Sequence, residues 1–224
     1  MPSLRCLLPA LLGMLLTFSS AVAQLTTYTD RSTFEAAAGT TITEDFASFT
    51  TEDAFHTTAV DAGDFTIFID ASKKSWNFID IPSHQDSWAN IDGTTSMNLF
   101  MTRGEKLVFT FDAPVSAFGA DFRGMNDGRN RVDFLINGDS VTPPITGGEV
   151  NSFFGITSTV EFTQVEIHAD YGQNDSFGID NVTYNSASAV PEPGSIFMLS
   201  LACCGFGLLY YRLKKPVPAP TEDP

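Results

Sequence analysis

Short runs rich in Phe, Val, Ile and Thr, separated by turn residues, fill the middle of this chain and restrict it to a β fold. Within residues 107–111 and 132–136, apolar residues alternate with others at the two-residue period of a half-buried strand. Asn137-Gly138 directly follows the second run, and this dipeptide is a strong hairpin signal. The predicted strands are residues 65–69, 97–101, 107–111, 115–122, 132–136, 160–167 and 177–184.

The spacing of these runs also predicts how they pack. Many short strands without helical patterns between them favour an antiparallel β-sandwich over an alternating α/β fold. The chain contains 20 Phe residues, which suit the core between two sheets better than a helical core. We therefore predict an all-β fold with two packed antiparallel sheets.

One short helix is expected ahead of the strands. Ser32-Thr33-Phe34-Glu35 has the spacing of a capping box, in which the first and fourth side chains bond to each other's backbone N–H groups. Three alanines follow, and Gly39 is a natural stop. The pattern predicts a helix over about residues 31–38.

The N-terminal segment has the organisation of a secretory signal peptide. Arg5 precedes an apolar run at residues 7–18, and Ala21-Val22-Ala23 provides the small residues of a cleavage site. We predict cleavage before Gln24, so that residues 1–23 are a signal peptide and residues 24–185 are an exported ectodomain.

The C-terminal segment combines a proline motif, an apolar run and a basic end. Pro191 and Pro193 keep the chain extended around Glu192. The uncharged residues 196–211 would form a helix of about 24 Å, slightly shorter than the hydrocarbon core of about 30 Å. The basic residues that follow mark the cytoplasmic end of a membrane span; they are Arg212, Lys214 and Lys215. Residues 186–195 are then a linker, residues 196–211 a single transmembrane helix and residues 212–224 a cytoplasmic tail.

This tail resembles the PEP-CTERM sorting signal of Gram-negative bacteria, with Val190-Pro191-Glu192-Pro193 as its motif. The resemblance implies recognition by the membrane enzyme exosortase. It also implies an inner-membrane anchor before processing, and a final location at the cell surface or in the exopolysaccharide matrix of a biofilm. Leu213 interrupts the basic cluster, and residues 216–224 extend past the usual end of the signal. The alternative is a plain C-terminal anchor behind a proline linker.

Cysteine placement and charge limit the ectodomain further. The three cysteines, Cys6, Cys203 and Cys204, lie in the two apolar end segments, so the ectodomain cannot be held by disulfides. The formal net charge of the chain is −15. Because phosphate contacts require Lys and Arg, this charge disfavours nucleic-acid binding, whereas an acidic surface suits solubility and divalent cations.

Three stretches of the ectodomain resemble the jelly-roll domains often found ahead of PEP-CTERM tails. They are "DRSTFEAAAGTTITEDF" at residues 30–46, "VSAFGADFRG" at 115–124 and "DSFGIDNVTY" at 175–184. The resemblance implies a jelly-roll-like β-sandwich of the carbohydrate-binding-module type. It specifies no substrate.

Asp180 is the most constrained polar residue, because apolar residues surround it within a predicted strand. A buried carboxylate needs hydrogen-bond donors or a cation, and Ca²⁺ accepts oxygen ligands. In similar carbohydrate-binding sandwiches an acid of the last strand and one of the first share a structural calcium, and here Glu44 and Asp45 hold the matching place. The alternative is that backbone N–H groups satisfy Asp180.

Trp76 and Trp88 flank a polar stretch and could form a sugar-binding platform, since exposed indole rings stack on sugar faces. The alternative is that both rings lie in the core, as most tryptophans do. A second polar loop has less aromatic support; its members are Arg123, Asn126, Asp127, Arg129 and Asn130.

Catalytic signals are weak. His56, His84 and His168 lack metal-ligand spacing, and neither a Gly-x-Ser-x-Gly motif nor a phosphate-binding loop occurs. A glycosidase-type pair of carboxylates stays open because acids are abundant. We expect a non-enzymatic, polysaccharide-binding surface protein, with a secreted glycan hydrolase or lyase, or a purely structural acidic protein, as the alternatives.

Overall fold

The computed structural model describes residues 23–185, except residues 57, 71–76, 85–88, 127–130, 146, 149 and 172–173. The predicted signal peptide, sorting motif, transmembrane span and basic end lie outside these residues. Among the described residues, no helix has both the length and the apolar content needed to cross a membrane.

The described chain is mostly antiparallel β-sheet with one short helix. Its elements are β1 (Leu25–Tyr28), α1 (Arg31–Ala38), β2 (Thr41–Glu44), β3 (Asp53–Ala54), β4 (Val60–Asp61), β5 (Phe65–Asp70), β6 (Phe78–Asp80), β7 (Ser96–Thr102), β8 (Lys106–Arg123), β9 (Arg131–Ile136), β10 (Asp139–Val141), β11 (Asn151–Tyr171) and β12 (Asn174–Asn185).

The helix confirms the predicted span, but its N-cap differs from the prediction. Asp30, not Ser32, caps the helix: its carboxylate accepts hydrogen bonds from the Thr33 amide at 2.8 Å and from the Ser32 hydroxyl at 2.7 Å. A carboxylate can accept several bonds at once and is favoured at the positive end of a helix. Gly39 ends the helix with φ +81°, a left-handed value that favours glycine.

Two long strands organise the sheet. Residues 107–111 and 115–122, predicted as separate strands, form the single strand β8, and the predicted strand at 160–167 is part of the longer β11. The two strands pair with each other, with register shifts around Phe162. Such bulges bend a strand, and Pro114 of β8, which lacks an N–H group, lies in the same region without a ladder partner.

Because β8 and β11 bend, each contributes to two layers. Layer I contains β4, β5, the first half of β8, the second half of β11, β9 and β10. Layer II contains β1, the first half of β11, the second half of β8, β12, β2, β7, β6 and β3. The Asn137-Gly138 hairpin joins β9 to β10, as predicted, with both residues at positive φ.

The core lies between these layers and is rich in Phe. Phe134 of layer I packs on Phe154 of layer II with ring centroids 5.1 Å apart, and Phe65 of layer I meets Tyr184 of layer II edge-on. Helix α1 packs on the opposite surface of layer II, where Phe34 lies against Phe153. Gly119 and Gly155 make room for the Phe34 ring, since a Cβ at position 155 would lie 2.6 Å from it.

Candidate functional site

A loop formed by residues 89–95 covers the outer surface of β12 in layer II. Gly178 allows this close approach: a Cβ at that position would lie 2.1 Å from the Ala89 carbonyl oxygen. The Asn151 side chain also donates a hydrogen bond of 2.5 Å to the Ile91 carbonyl oxygen. The loop therefore closes over the residue two positions beyond Gly178, which is Asp180.

Asp180 is completely buried. It lies opposite Asp121 of β8 in the strand register, and the ladder then shifts before Thr183. The irregular residue is Asn181, whose φ of +52° turns its amide toward the preceding side chain. That amide donates a hydrogen bond of 2.6 Å to Asp180 Oδ1, so one backbone donor satisfies one carboxylate oxygen.

Thr94 connects Asp180 to a second carboxylate. Its Oγ1 lies 2.5 Å from Asp92 Oδ1 and 3.3 Å from Asp180 Oδ2. A hydroxyl has one hydrogen to donate and can accept another. The Thr94 hydroxyl can therefore donate to only one of the two carboxylates at a time, and its shorter contact is with Asp92.

The electrostatics agree with this arrangement. Burial, together with the charges of Asp92 and Asp121, raises the pKa of Asp180 to about 7. Hydrogen bonds from Asn181 and Thr94 act in the opposite direction but are outweighed. Burial also opposes the ionisation of Asp92, but hydrogen bonds from Thr94 and from the Asn181 side chain outweigh it and lower the pKa of Asp92. Of the two acids beside Thr94, Asp92 is therefore the one that ionises first.

A cation from the helix neutralises the third acid. Arg31 Nη2 lies 2.9 Å from Asp121 Oδ2, and the same carboxylate oxygen accepts a bond of 3.2 Å from Asn181 Nδ2. Arg31 also donates to the Thr183 hydroxyl at 2.6 Å and lies over the Phe153 ring. These contacts tie α1 to β12. Among the described residues, no cation forms an ion pair with Asp180.

We call Asp92, Asp121 and Asp180 the acidic cluster. It lies at the surface of layer II under the 89–95 loop, with Arg31 on one side. Because Asp180 has no exposed surface, a substrate cannot reach it in this conformation. The cluster can hold a proton, but it does not have the accessibility of a catalytic acid–base pair.

The residues predicted to share a calcium ion with Asp180 have other neighbours. Glu44 Oε1 accepts a hydrogen bond of 2.7 Å from the Phe46 amide, and Asp45 Oδ1 accepts one of 3.0 Å from the Ala47 amide. Burial, followed by the charges of Asp45 and Asp64, raises the pKa of Glu44. The acids that act on Asp180 are instead Asp92 and Asp121. Within the described ranges, no group of three or more His, Cys, Asp or Glu side chains is arranged to hold a metal ion.

The two predicted sugar-stacking residues, Trp76 and Trp88, lie outside the described residues, as do Asp127, Arg129 and Asn130 of the second polar loop. Asn126 of that loop is used within the fold. It has φ +60°, its amide donates to Asp175 at 2.8 Å, and its side-chain oxygen accepts from the Val132 amide at 2.7 Å. Arg123 donates to Asn151 at 3.0 Å. These two residues therefore stabilise the turn after β8.

The three histidines lie at separate places. His56 contacts the Asn77 carbonyl oxygen, His84 lies 3.0 Å from Glu52, and His168 lies 2.5 Å from Glu166. The structure brings none of them into the acidic cluster.

Sequence reasoning missed Asp92, Thr94, Asp121 and Arg31 as neighbours of Asp180. In the sequence, Asp92-Gly93 indicates only a turn. The usable signal was the strand parity of "VSAFGADFRG": Asp121 falls between Ala120 and Phe122, which belong to the core, and so it faces away from the core. Nothing in the sequence showed which strand would bring it opposite Asp180.

Comparisons with known proteins add little. No known protein family and no curated protein matches the sequence. A mutant of a family 29 carbohydrate-binding module matches with a TM-score of 0.39 and 10% identity over 69% of this chain and 99% of that chain. The K2 cleaved adhesin domain of Lys-gingipain gives a TM-score of 0.41 and 15% identity over 66% and 98% of the two chains. A family two carbohydrate esterase from Cellvibrio japonicus gives 0.33 and 12% over 75% and 38%. Likenesses this weak carry no argument about this chain.

Proposed function

We propose that this protein is an exported, non-enzymatic protein of the cell surface or extracellular matrix of a Gram-negative bacterium, and that its β ectodomain binds polysaccharide. The single observation that carries the export and sorting is the ordered tail: Pro191-Glu192-Pro193, then an uncharged run at residues 196–211, then Arg212. Exosortase is the partner that such a tail implies, and the membrane is a transient one.

The ectodomain supports this proposal through its construction. Among the described residues, the buried apolar side chains form one large core cluster and a smaller one around Phe34. The ectodomain achieves this without cysteines. The two-layer antiparallel arrangement is compatible with the jelly-roll-like sandwich predicted from the resemblance. A stable β unit of this kind suits a binding module displayed outside the cell.

A replacement of Pro191, Glu192 and Pro193 by alanines tests the sorting. The variant should accumulate uncut in the inner membrane, because exosortase would no longer recognise the tail. Fractionation followed by immunoblotting measures this. Unchanged maturation and release would refute exosortase sorting and leave a plain membrane anchor. A triple alanine variant at Pro216, Pro218 and Pro220, beyond the basic end, is the matched control and should mature normally.

A glycan array with the 24–185 ectodomain, combined with a reducing-sugar assay, tests the binding. Binding without sugar release supports the proposed function. Release of reducing sugar would instead identify a hydrolase, and an unsaturated product absorbing in the ultraviolet would identify a lyase. Neither binding nor turnover would favour a structural acidic protein. The enzymatic alternatives come second because the sequence contains no recognisable catalytic motif.

A further inference from the structure

The surface of layer I that faces away from the core has a regular side-chain pattern. We call it the outer face of layer I. The strand register places its side chains in three rows, and the middle row runs across five neighbouring strands, β5, β8, β11, β9 and β10. The side chains on this face are mostly exposed or half-buried, whereas those of the same strands with opposite parity are in the core.

The middle row contains three apolar side chains and one carboxylate. Phe68 of β5 pairs with Val108 of β8, Val108 pairs with Glu166 of β11, and Glu166 pairs with Leu135 of β9. Phe68 is 37% exposed, which is unusual among the large apolar side chains that the structure describes. In "FTIFID" the side chains of Phe65, Ile67 and Ile69 face the core, and the alternate positions face outward. The aromatic ring of Phe68 therefore occupies an outward-facing position, where a polar residue is the usual choice.

Hydrogen-bonding side chains line one side of this row. Thr66 pairs with Thr110, and Thr110 pairs with Gln164, so two hydroxyls and an amide lie side by side. Next to them is a cleft of about 260 Å³, lined by Leu135, Asn137, Gly138, Thr163, Gln164 and Glu166. An exposed aromatic ring on the same face as a groove that offers hydroxyl, amide and carboxylate oxygens matches the chemistry of a sugar, which has apolar C–H faces and hydroxyl edges.

The charges of the outer face favour a neutral ligand. Lys106 Nζ lies 3.3 Å from Glu166 Oε2, and Arg131 Nε lies 3.1 Å from Asp133 Oδ1, so both cations are paired with acids of the same face. The chain as a whole has a net charge of −15. A polyanion would therefore meet paired cations locally and repulsion at longer range.

The size of the outer face favours a linear chain over a folded protein. Five strands about 4.8 Å apart make the face about 19 Å wide, and three rows about 6.7 Å apart make it about 13 Å long. The resulting area of about 250 Å² is well below the roughly 800 Å² per partner that a stable protein interface buries. A polysaccharide chain lying across the strands would fit this shape.

We propose that the outer face of layer I is a binding site for a neutral polysaccharide, with Phe68 stacking on a sugar ring and Gln164, Thr110 and Asn137 binding hydroxyl groups. This inference rests on the proposed polysaccharide binding and assigns it to residues other than the predicted Trp76 and Trp88. The chain lies across β5, β8, β11 and β9, parallel to the middle row.

The test uses the full chain, purified in detergent, in affinity gel electrophoresis against hydroxyethylcellulose, galactomannan, xylan and alginate. Phe68→Ala should weaken binding to a neutral polysaccharide at least about tenfold, which corresponds to about 1.4 kcal/mol. Phe68→Tyr, which keeps the ring, should bind as the unmodified chain does, and Phe68→Leu, which keeps apolar volume without a ring, should not. Gln164→Ala should weaken binding by a smaller factor. Ile42→Ala is the matched control, because Ile42 lies in layer II and is 40% exposed.

The outcomes separate this inference from the proposed function. If the unmodified chain binds none of the polysaccharides, the proposed function and the inference both fail. If it binds, but Phe68→Ala and Gln164→Ala bind equally well, the function stands and the assignment to this face is wrong. Equal losses of affinity for Phe68→Ala and Ile42→Ala would also overturn the assignment to this face. Binding to alginate alone would overturn it too, because alginate is a polyanion and the inference requires a neutral ligand. Melting temperatures show whether each variant is folded. If Phe68→Ala unfolds, Phe68→Leu decides the test, because the inference requires it to bind more weakly than Phe68→Tyr.

Discussion

Asp180 of β12 lies directly opposite Asp121 of β8, so two carboxylates form a cross-strand pair at the surface of layer II. Like charges in this position destabilise a sheet. The protein compensates the two acids differently: Arg31 lies 2.9 Å from Asp121, whereas Asp180 is buried and its pKa is raised to about 7. The consequence is that Asp180 couples folding to pH.

The first prediction is that Asp180→Asn removes a loss of stability with rising pH. The raised pKa of Asp180 means that the folded chain keeps a proton which the unfolded chain releases above pH 3.8. The contribution is fully present below pH 3.8 and is lost as pH rises through about 7. This contribution to the free energy of unfolding is on the order of 4 kcal/mol, because each unit of difference between the folded and unfolded pKa corresponds to about 1.36 kcal/mol. Urea unfolding from pH 4 to pH 8 measures it.

The control for this experiment is Asp139→Asn, because Asp139 is exposed in the β9–β10 hairpin. It should leave the pH profile of the unfolding free energy unchanged. A profile of Asp180→Asn that runs parallel to that of the unmodified chain would contradict the proposed protonation of Asp180.

The second prediction concerns calcium. If Ca²⁺ replaces the proton on the acidic cluster, millimolar Ca²⁺ should raise the melting temperature, a chelator should lower it, and the shift should be larger at pH 8 than at pH 6 because protons compete with the metal. A site of micromolar to millimolar affinity would add from a few tenths to about 4 kcal/mol. Asp180→Asn should abolish the shift.

Two further variants identify the partners of Asp180 in such a site. Asp92→Asn should reduce the calcium shift if the acidic cluster binds the metal, whereas Glu44→Gln should reduce it if the ligands predicted from sequence do. A melting temperature that responds neither to Ca²⁺ nor to the chelator would mean that no calcium site exists and that Asp180 is satisfied by its proton and by the Asn181 amide.

The third prediction is that Gly178→Ala destabilises the fold and also changes the titration of Asp180. The added Cβ would lie 2.1 Å from the Ala89 carbonyl oxygen and must displace the 89–95 loop. Overpacking of this kind costs about 1–3 kcal/mol. Once the loop moves, Asp180 becomes more exposed and its pKa should fall toward its ordinary value, which flattens the pH profile.

Gly155→Ala is the matched comparison, since its Cβ would lie 2.6 Å from the Phe34 ring of α1. It should destabilise the fold by a similar amount but flatten the pH profile less, because α1 acts on Asp180 only through Arg31 and Asp121. The coupling between the loop and Asp180 is refuted if both variants change the profile equally.

The fourth prediction concerns the tryptophans. Trp76→Ala and Trp88→Ala should weaken polysaccharide binding and leave the melting temperature nearly unchanged if the indole rings are exposed. Losing a buried tryptophan would instead cost about 3–5 kcal/mol. A large fall in melting temperature for both variants would place the rings in the core. Combining either variant with Phe68→Ala shows whether the two surfaces bind the same chain.

The sequence by itself determined the local features of this protein. The two-residue period predicted the β class, Ala36 to Gly39 fixed the C-terminal part of α1, and Asn137-Gly138 specified a hairpin. Each of these follows from the conformational preferences of adjacent residues. The capping error at Asp30 is of the same local kind, since two neighbouring residues offered competing caps.

Only the tertiary structure decided how distant segments meet. Whether residues 107–111 and 115–122 are two strands or one depends on the pairing of β8 with β11. The neighbours of Asp180 are Asp92 and Asp121, which are distant from it in the sequence. The same register aligns Phe68 with Val108 on an open face. Register depends on how all strands bury their apolar sides together, and a shift by one residue would exchange every inward and outward side chain. For that reason the local pattern could single out Asp180 but could not identify its neighbours.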